Sequence, residues 1–158
     1  MPAYSEARAL VLEHGWNSTA YQILNPGISH WFSSDRRAVA GYVRYGSHVL
    51  IAGAPVCGAE SLSGVIRELE EEFGARRFKI CYVCAGRRLR DELAGTGTHS
   101  SVPIGAQPVW DPAHWPEMIA GRASLRAQLR RARNKGVTIE PMAGECAAAD
   151  PEIAAVLA

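Results

Sequence analysis

The sequence predicts an α/β fold in which a mixed, largely antiparallel sheet is flanked by helices. Three observations predict it. Short runs of β-branched and aromatic residues, separated by tight turns, follow one another between positions 30 and 52. An amphipathic helix pattern then separates the last of these runs from a further strand, as in a right-handed parallel crossover. The length of 158 residues suits one domain with a genuine core.

The first part of the chain is predicted to form a helix and an antiparallel meander. A helical pattern runs from Ser5 to His14, with apolar side chains on one side, and Gly15 ends it. The turn sequences Ser34-Asp35 and Tyr45-Gly46-Ser47 then separate three short strands. The predicted strands are His30–Ser33, Arg37–Arg44 and His48–Ala52.

The next part alternates helices and strands. Apolar residues recur at helical spacing between Ser61 and Phe73, and the acid-rich run Glu68–Glu72 lies on the other sides of that helix. The strand Arg77–Cys84 should lie parallel to the strand that ends at Ala52. Further predicted elements are a helix over Arg87–Ala94, one or two strands within Ser101–Trp110 broken at Pro103 and Pro108, a strand over Val137–Met142, and a helix start at Asp150-Pro151.

The charge balance limits the kinds of partner. A net charge of +1 excludes a generally basic protein, so any attraction for polyanions must come from local clustering. No apolar run approaches membrane-spanning length, and no basic segment followed by an apolar one marks a signal peptide. The sequence therefore predicts a cytoplasmic protein.

The four cysteines do not indicate a metal or redox site. Cys81 and Cys84 form a C-x-x-C, but they lie in a predicted strand, where side chains three residues apart point to opposite faces. No second C-x-x-C and no paired histidine completes a zinc ligand set. We therefore expect no metal, and we expect the cysteines to be ordinary buried thiols: Cys57, Cys81, Cys84 and Cys146.

The most informative stretch is Arg122–Lys135, which is followed by Gly136. It holds six cations and no acid and consists mostly of strong helix formers, so a helix that ends at Gly136 is predicted. Leu125, Leu129 and Ala132 share one face and form a narrow apolar seam. A second face carries guanidinium groups that repel one another and that nothing within the helix compensates. These are Arg122, Arg126, Arg130 and Arg133.

This basic helix has two interpretations. Charge runs are usually solvent-exposed faces, and the arginines would then pair with acids elsewhere, for example in the Glu68–Glu72 run. Alternatively the helix binds phosphate, for which bidentate guanidinium groups are well suited. The second hypothesis assigns the phosphate contacts to Arg126, Arg130, Arg131, Arg133, Asn134 and Lys135.

No catalytic residue can be assigned from the sequence. There is no G-x-S-x-G motif, and no Ser or Cys can be tied to a His and an acid. Asp35 and His30 are candidate bases near the meander, although a turn or core role is favoured for both. Trp110 and Trp115 border the loop before the basic helix and either stack on nucleic-acid bases or, as is favoured, cap the core.

Several stretches together carry a family resemblance. They are Trp31–Asp35, Ala40–Val43, Val49–Pro55, Ile104–Trp110, Ser124–Arg126 and Arg130–Gly136, and with their spacing they span most of the chain. They resemble the cytosolic domain of the lysylphosphatidylglycerol synthetases, also called phosphatidylglycerol lysyltransferases, and its soluble relatives. The family has Gly-Asp-Pro where this chain has Gly53-Ala54-Pro55, so any role of that carboxylate is not carried over.

The resemblance implies a fold of two tandem GNAT-like (acyl-CoA N-acyltransferase) halves. Residues 1–142, with the basic helix 122–135, resemble the first half, and residues 143–158 resemble the start of a second half that is cut short. Full-length members move an aminoacyl group from a charged tRNA to phosphatidylglycerol. The implied partners are aminoacyl-tRNA, an anionic phospholipid and a second GNAT-like half, with a peripheral position at the inner membrane face.

Two other functions remain open beside this aminoacyltransferase hypothesis. The chain could be a noncatalytic GNAT-like module that binds an anionic ligand or a partner domain, since much of an active site would lie in the other half. It could also be a small-molecule N-acyltransferase, which needs a glycine-rich pyrophosphate loop. Ala52–Glu60 contains Pro55 and lacks that spacing, and Glu92–Gly97 places a carboxylate where a cation or an amide is wanted and lies at a helix end. No cofactor and no acetyl-CoA are therefore expected.

Overall fold

We analysed a computed structural model that describes residues 2–106, 109, 111–144, 146 and 150–157. The chain forms two compact units, Met1–Gly105 and Ala106–Ala158, which we call the sheet unit and the helical unit. The chain is divided in this way because each unit packs mainly against itself. The boundary after Met142 that the sequence suggests, between two tandem halves, stays a prediction.

The sheet unit contains a four-stranded mixed sheet. Its elements are α1 (Pro2–His14), α2 (Ser18–Gln22), β1 (Ser29–Phe32), β2 (Val39–Tyr45), β3 (His48–Ala52), a 3-10 turn (Ala59–Ser61), α3 (Leu62–Ala75), β4 (Lys79–Val83) and α4 (Arg87–Leu93). The strand order is β1-β2-β3-β4. Each predicted helix and strand up to Ala94 is therefore present, with ends that differ by up to three residues.

The first three strands form the predicted antiparallel meander. Trp31 lies opposite Ala40, and Tyr45 lies opposite His48 across a two-residue hairpin turn. Gly46 in that turn has a φ of +56°, a conformation that glycine adopts at little cost. β3 and β4 are parallel, so the crossover through α3 that the sequence predicted is confirmed.

The two faces of the sheet are covered differently. α3 packs on one face, where its apolar side chains meet Trp31 and Ile51. α1 and α2 pack on the other face, around Val39 and against part of β1, β2 and the end of β3 at Ala52. The remaining part of this second face is exposed at Val43 (44%) and Leu50 (37%). The core of the unit therefore lies mainly between α3 and the sheet.

The helical unit contains a 3-10 turn (Pro112–His114) and three described α-helices: α5 (Trp115–Ala120), α6 (Ala123–Asn134) and α7 (Pro151–Leu157). Asp111 starts the 3-10 turn by accepting a hydrogen bond from the Ala113 N–H at 2.9 Å. Asp150 likewise accepts from the Glu152 N–H at 2.8 Å, so the predicted cap at the start of α7 is confirmed.

Two strand predictions for the later part of the chain do not hold. Val137–Met142 contains no strand, and Ile139 is 95% exposed, because the apolar alternation of this segment has no strand beside it. Within Ser101–Trp110, the described residues 101–106 and 109 also form no strand. Gln107, Pro108 and Trp110 lie outside the described residues.

The expectation of buried thiols is correct for Cys57 and wrong for the other cysteines. Cys57 is buried, whereas Cys81, Cys84 and Cys146 are exposed. Cys81 lies on the sheet face opposite α3, at a place that neither α1 nor α2 of the sheet unit covers, and Cys84 follows β4 with a φ of +57°. Apolar composition predicts a buried strand, but β4 is the last described strand of the sheet, and only one of its faces packs against the core.

Candidate functional site

The basic helix forms as predicted and ends at a Schellman motif. Gly136 has a φ of +75°, and its N–H donates to the Arg133 carbonyl at 3.0 Å. The Val137 N–H donates to the Ala132 carbonyl at 3.1 Å, which is the second bond of the motif. The end of α6 is therefore fixed by backbone geometry, and the cations of its last turn lie beside the negative end of the helix dipole.

Arg126 has a structural partner that the sequence did not reveal. Its guanidinium Nη1 donates to the carbonyl of Ala120 and, at 3.4 Å, to the carbonyl of Ile119. Both carbonyls belong to the last turn of α5, whose terminal oxygens have no partner within the helix. Arg126 therefore caps α5 and orients α6 against it, so it is the least available of the predicted phosphate ligands.

The other predicted ligands on α6 extend into solvent. Arg130, Arg131, Arg133, Asn134 and Lys135 are all exposed. Within the described part of the chain, no ion pair involves a side chain of Arg122–Lys135. The cationic face predicted from the helix spacing is thus present and uncompensated by any described carboxylate.

Three of the four acids in the Glu68–Glu72 run, which the alternative interpretation offered to these arginines, have other partners. Glu68 accepts from the Ser34 N–H at 2.6 Å, and Glu72 accepts from the Trp31 indole at 2.6 Å and from Arg76 at 2.6 Å. Glu70 accepts from the Tyr82 hydroxyl at 2.9 Å. These carboxylates hold α3 to the sheet and to itself, which weakens the case for a solvated basic helix that pairs with them.

The apolar seam of α6 is only partly covered. Leu125 and Ala132 are half-buried, whereas Leu129 is 42% exposed and Val137, just beyond the helix, is 58% exposed. The exposed apolar side chains adjoin the arginine face, because Leu129 and Arg133 are four residues apart. α6 therefore presents a cationic face bordered by apolar surface.

The two candidate bases have structural roles, as the sequence favoured. His30 Nε2 lies 2.8 Å from the Ile23 carbonyl, which ties β1 to the end of α2. Asp35 accepts from the Ser33 hydroxyl at 2.6 Å and from the Arg37 N–H at 3.0 Å. Both hydrogen bonds lower the pKa of Asp35, and the one from Ser33 has the larger effect. They also form the turn between β1 and β2.

Of the two tryptophans, only Trp115 can be placed, since Trp110 lies outside the described residues. Trp115 begins α5 and is 38% exposed. The core-capping role that the sequence favoured for it stays a prediction.

The loop between β3 and α3, the place at which the sequence was compared with a pyrophosphate loop, carries a carboxylate. A Cβ built on Gly58 would lie 2.4 Å from Glu60 Oε1, so this carboxylate lies against the start of the helical segment. Helix starts of this kind otherwise favour phosphate. Ala54, at the position of the family aspartate, packs against the core instead of presenting a charge.

A polar network on the sheet unit was not predictable from the sequence, because its members are far apart along the chain. Glu70 accepts from Tyr82 and lies 3.0 Å from His99 Nε2, so α3, β4 and the turn after α4 meet at one carboxylate. Burial, together with Glu70, raises the pKa of Tyr82. A cavity of about 470 Å³ lies beside this network, between α3 and α4. Its lining residues include Ile66, Arg67, Glu71, Glu92, Leu93 and Thr96.

Neither a metal-binding cluster nor a membrane-spanning helix is found among the described residues. No three His, Cys, Asp or Glu side chains gather as a metal site would require. None of the described helices has the length and hydrophobicity needed to span a bilayer.

The comparison with protein families decides which family the chain belongs to. The sequence profile of the family described as "Phosphatidylglycerol lysyltransferase, C-terminal" matches residues 8–158, nearly the whole chain. The chain belongs to this family. No curated protein matches the chain.

Two solved structures share the fold of this phosphatidylglycerol lysyltransferase-family chain. L-PGS from Bacillus licheniformis aligns with a TM-score of 0.61 and 18% identity over 90% of this chain and 46% of that one. The C-terminal domain (DUF2156) of a putative lysylphosphatidylglycerol synthetase from Agrobacterium fabrum aligns with a TM-score of 0.51 and 17% identity, over 60% of this chain and 29% of that one. The fold is therefore GNAT-like, as the resemblance implied, and the chain spans less than half of either solved chain.

Proposed function

We propose that this chain is part of an aminoacyl-tRNA-dependent acyltransferase, in which α6 binds phosphate groups of the tRNA or of phosphatidylglycerol. The observation that carries the proposal is the exposed cationic face of α6. Its guanidinium groups have no described carboxylate partner, in a chain of the phosphatidylglycerol lysyltransferase family. The chain would correspond to the first of two GNAT-like halves.

Charge and geometry support phosphate as the ligand. Arg130 and Arg133 lie about one turn apart on one face, and Arg131 and Lys135 widen the positive surface around the end of the helix. One guanidinium group can donate two parallel hydrogen bonds to the oxygens of one phosphate, and it remains charged at any physiological pH. The net charge of the whole chain is only +1, so attraction would be focused on this helix.

The contribution of α6 to the reaction would be positioning. Transfer of an ester-activated aminoacyl group to a hydroxyl requires the two substrates to be held in line, a base, and donors for the developing oxyanion. His30 and Asp35 are both engaged in structural hydrogen bonds. We expect the base to come from the rest of the enzyme, since this chain spans less than half of either solved relative.

Because the chain spans less than half of either solved relative, a second candidate function is favoured for the chain by itself. Without the rest of the enzyme it would act as a noncatalytic module that binds an anionic ligand or a partner domain. A small-molecule acyltransferase is disfavoured, because Ala52–Glu60 contains Pro55 and lacks the spacing of a pyrophosphate loop. The Glu60 carboxylate beside Gly58 would also repel a phosphate there.

Binding experiments with charge-reversed variants test the proposal. The double variant Arg130→Glu/Arg133→Glu should lose binding to purified tRNA or to phosphatidylglycerol vesicles. Arg8→Glu/Arg37→Glu, which changes the net charge equally at exposed positions of the sheet unit, should retain it. Phosphatidylcholine vesicles serve as the neutral-surface control. Equal binding by the two double variants would refute a role of α6. A separate experiment distinguishes the two candidate functions: transferase activity that appears when the remaining half is added would show an enzyme, and no activity would favour the noncatalytic module.

A further inference from the structure

The sheet unit carries a cationic surface of its own, at the end of the sheet where β2 turns into β3 and where β4 begins. No Asp or Glu occurs in the sequence between Asp35 and Glu60, the stretch that supplies β2 and β3. None occurs between Glu72 and Asp91, the stretch that supplies β4. The exposed residues at this end, which we call the hairpin ridge, are Arg44, Tyr45, His48, Arg76, Arg77 and Lys79.

Strand pairing holds the members of the hairpin ridge together. Tyr45 lies opposite His48 across the β2–β3 hairpin, and His48 lies beside Lys79 in the parallel pair of β3 and β4. The Arg44 guanidinium carbon lies 4.7 Å from the centre of the Phe78 ring, so this side chain is also held in place. Cations and one exposed aromatic ring are therefore fixed next to one another by three strands.

Most of the cations on the ridge have no acidic partner. Arg76 pairs with Glu72 at 2.6 Å, one turn before it along the chain. Among the described ion pairs, none involves Arg44, Arg77 or Lys79. The ridge thus presents positive charge that the described carboxylates leave uncompensated, as an anion-binding surface would.

Arg77 occupies a backbone position at which glycine is usual. α3 ends in a Schellman motif, in which the Phe78 N–H donates to the Phe73 carbonyl at 3.0 Å and the Arg77 N–H donates to the Gly74 carbonyl at 2.8 Å. Arg77 is the left-handed residue of this motif, with a φ of +60°. The helix dipole does not account for it, because a cation in the last helical turn would be stabilised equally well. An arginine at a strained position indicates that its guanidinium has a role beyond the fold.

We propose that the hairpin ridge binds the phosphate backbone of a nucleic acid, with Tyr45 stacking on an unpaired base. Arginine and lysine side chains are the usual donors to nucleic-acid phosphates. Tyr45 is 79% exposed, and an exposed aromatic ring beside cations is the typical platform for an unpaired base. All residues of the ridge belong to the sheet unit, so this site is distinct from α6.

A lipid bilayer fits the ridge less well than a nucleic acid does. Interfacial binding requires apolar side chains that reach the acyl region. Val43 and Leu50, the exposed apolar side chains of this sheet face, lie two residues from the ridge along their strands, or about 7 Å back. The side chains at the front are charged, or carry a hydroxyl or an imidazole. Phosphate and base contacts therefore match the ridge, whereas insertion into a bilayer does not.

Salt-dependent binding of purified tRNA tests the ridge. Arg77→Gly/Lys79→Gln should weaken the affinity by roughly tenfold at about 0.1 M salt, and should lower the slope of log affinity against log salt by about 0.7–0.9 per lost contact. Arg8→Gln/Arg37→Gln, which removes the same charge at other exposed positions of the sheet unit, should change neither quantity. Equal affinities of these two double variants would overturn the proposal.

A parallel measurement on Arg130→Gln/Arg133→Gln keeps this test separate from that of α6. A loss of tRNA binding in that variant, with the ridge variant unchanged, would overturn the role of the ridge and leave the proposed function standing. The reverse pattern would support the ridge and contradict the role of α6. If the ridge variant lost binding to phosphatidylglycerol vesicles and kept its affinity for tRNA, the ridge would be a membrane contact and the nucleic-acid proposal would be wrong.

Two single substitutions separate binding from folding. Arg77→Gly relieves the left-handed backbone, so the midpoint of urea denaturation should not fall, while the affinity for tRNA should decrease. Tyr45→Ser should weaken tRNA binding by about fivefold or more, whereas Tyr45→Phe, which keeps the ring, should retain it. Unchanged affinity of Arg77→Gly, or equal losses in the two Tyr45 variants, would contradict the phosphate contact and the stacking, respectively.

Discussion

The guanidinium of Arg126 donates to the backbone carbonyl of Ala120, so the first arginine of α6 closes the last turn of α5. Arg130, one turn further along, has no described carboxylate partner and is exposed. Two residues of the same type on one helix face thus have different roles.

The different roles of these arginines predict different costs of truncation. Arg126→Ala should lower the free energy of unfolding of the helical unit by about 1 kcal/mol, because it removes a charged donor from helix-terminal carbonyls. Arg130→Ala should change it by less than about 0.5 kcal/mol, as expected for an exposed side chain away from structural contacts. Urea denaturation followed by circular dichroism would compare them, and equal losses would contradict the capping role of Arg126.

Gly136 should be required for the end of α6. Nothing lies within 4 Å of a Cβ at this position, so Gly136→Ala would suffer only from the left-handed backbone at φ +75°. We expect a loss of about 1 kcal/mol. Gly64→Ala is the matched control, since Gly64 lies inside α3 with open space around it and should gain about 0.5–1 kcal/mol. The same sign of change in both variants would contradict this account.

The cysteines should differ sharply in reactivity. Burial raises the pKa of the Cys57 thiol to about 11, so almost no thiolate forms there at neutral pH. Cys81, Cys84 and Cys146 are exposed and should react with a thiol reagent in the folded protein. Mass spectrometry after brief iodoacetamide treatment should find Cys57 unmodified until denaturant is added. Early labelling of Cys57 would show that its thiol is accessible to the reagent and not buried as described.

The Asp35 turn should make part of the stability sensitive to acid. Its pKa is lowered by the Ser33 hydroxyl and the Arg37 N–H, so its folded-state value lies below its unfolded-state value. The stabilisation is therefore complete above the unfolded pKa, near 4, and is lost as the pH falls through the lower folded value. Asp35→Asn should flatten the acid limb of a melting-temperature profile while leaving the fold intact. An unchanged slope below about pH 4 would refute this contribution.

Local signals account for what the sequence predicted correctly. The hairpin at Gly46, the amphipathic spacing of α3 and the stop at Gly136 each depend on neighbouring residues, so they could be read without knowing the fold. The family match likewise agrees with the motifs found along the chain. The strand predicted over Val137–Met142 failed because alternation alone does not supply a partner strand.

Long-range contacts account for most of what could not be predicted. Whether Cys81 is buried depends on how far α1 and α2 extend over the sheet, which no local pattern specifies. The hydrogen bond from the Tyr82 hydroxyl to Glu70 and the 3.0 Å contact between Glu70 and His99 join three elements distant in sequence. For α6, the sequence indicated the cationic face, but the capping by Arg126 depends on the angle at which α5 and α6 meet.

The salt dependence of binding tests the central claim most directly. If α6 binds phosphate, the affinity for purified tRNA or for phosphatidylglycerol vesicles should fall steeply with salt. For tRNA, Arg130→Gln/Arg133→Gln should reduce the slope of log affinity against log salt by about 0.7–0.9 per lost contact. Arg8→Gln/Arg37→Gln should leave the slope unchanged. Binding of both ligands with the same salt dependence in all three proteins would contradict the account.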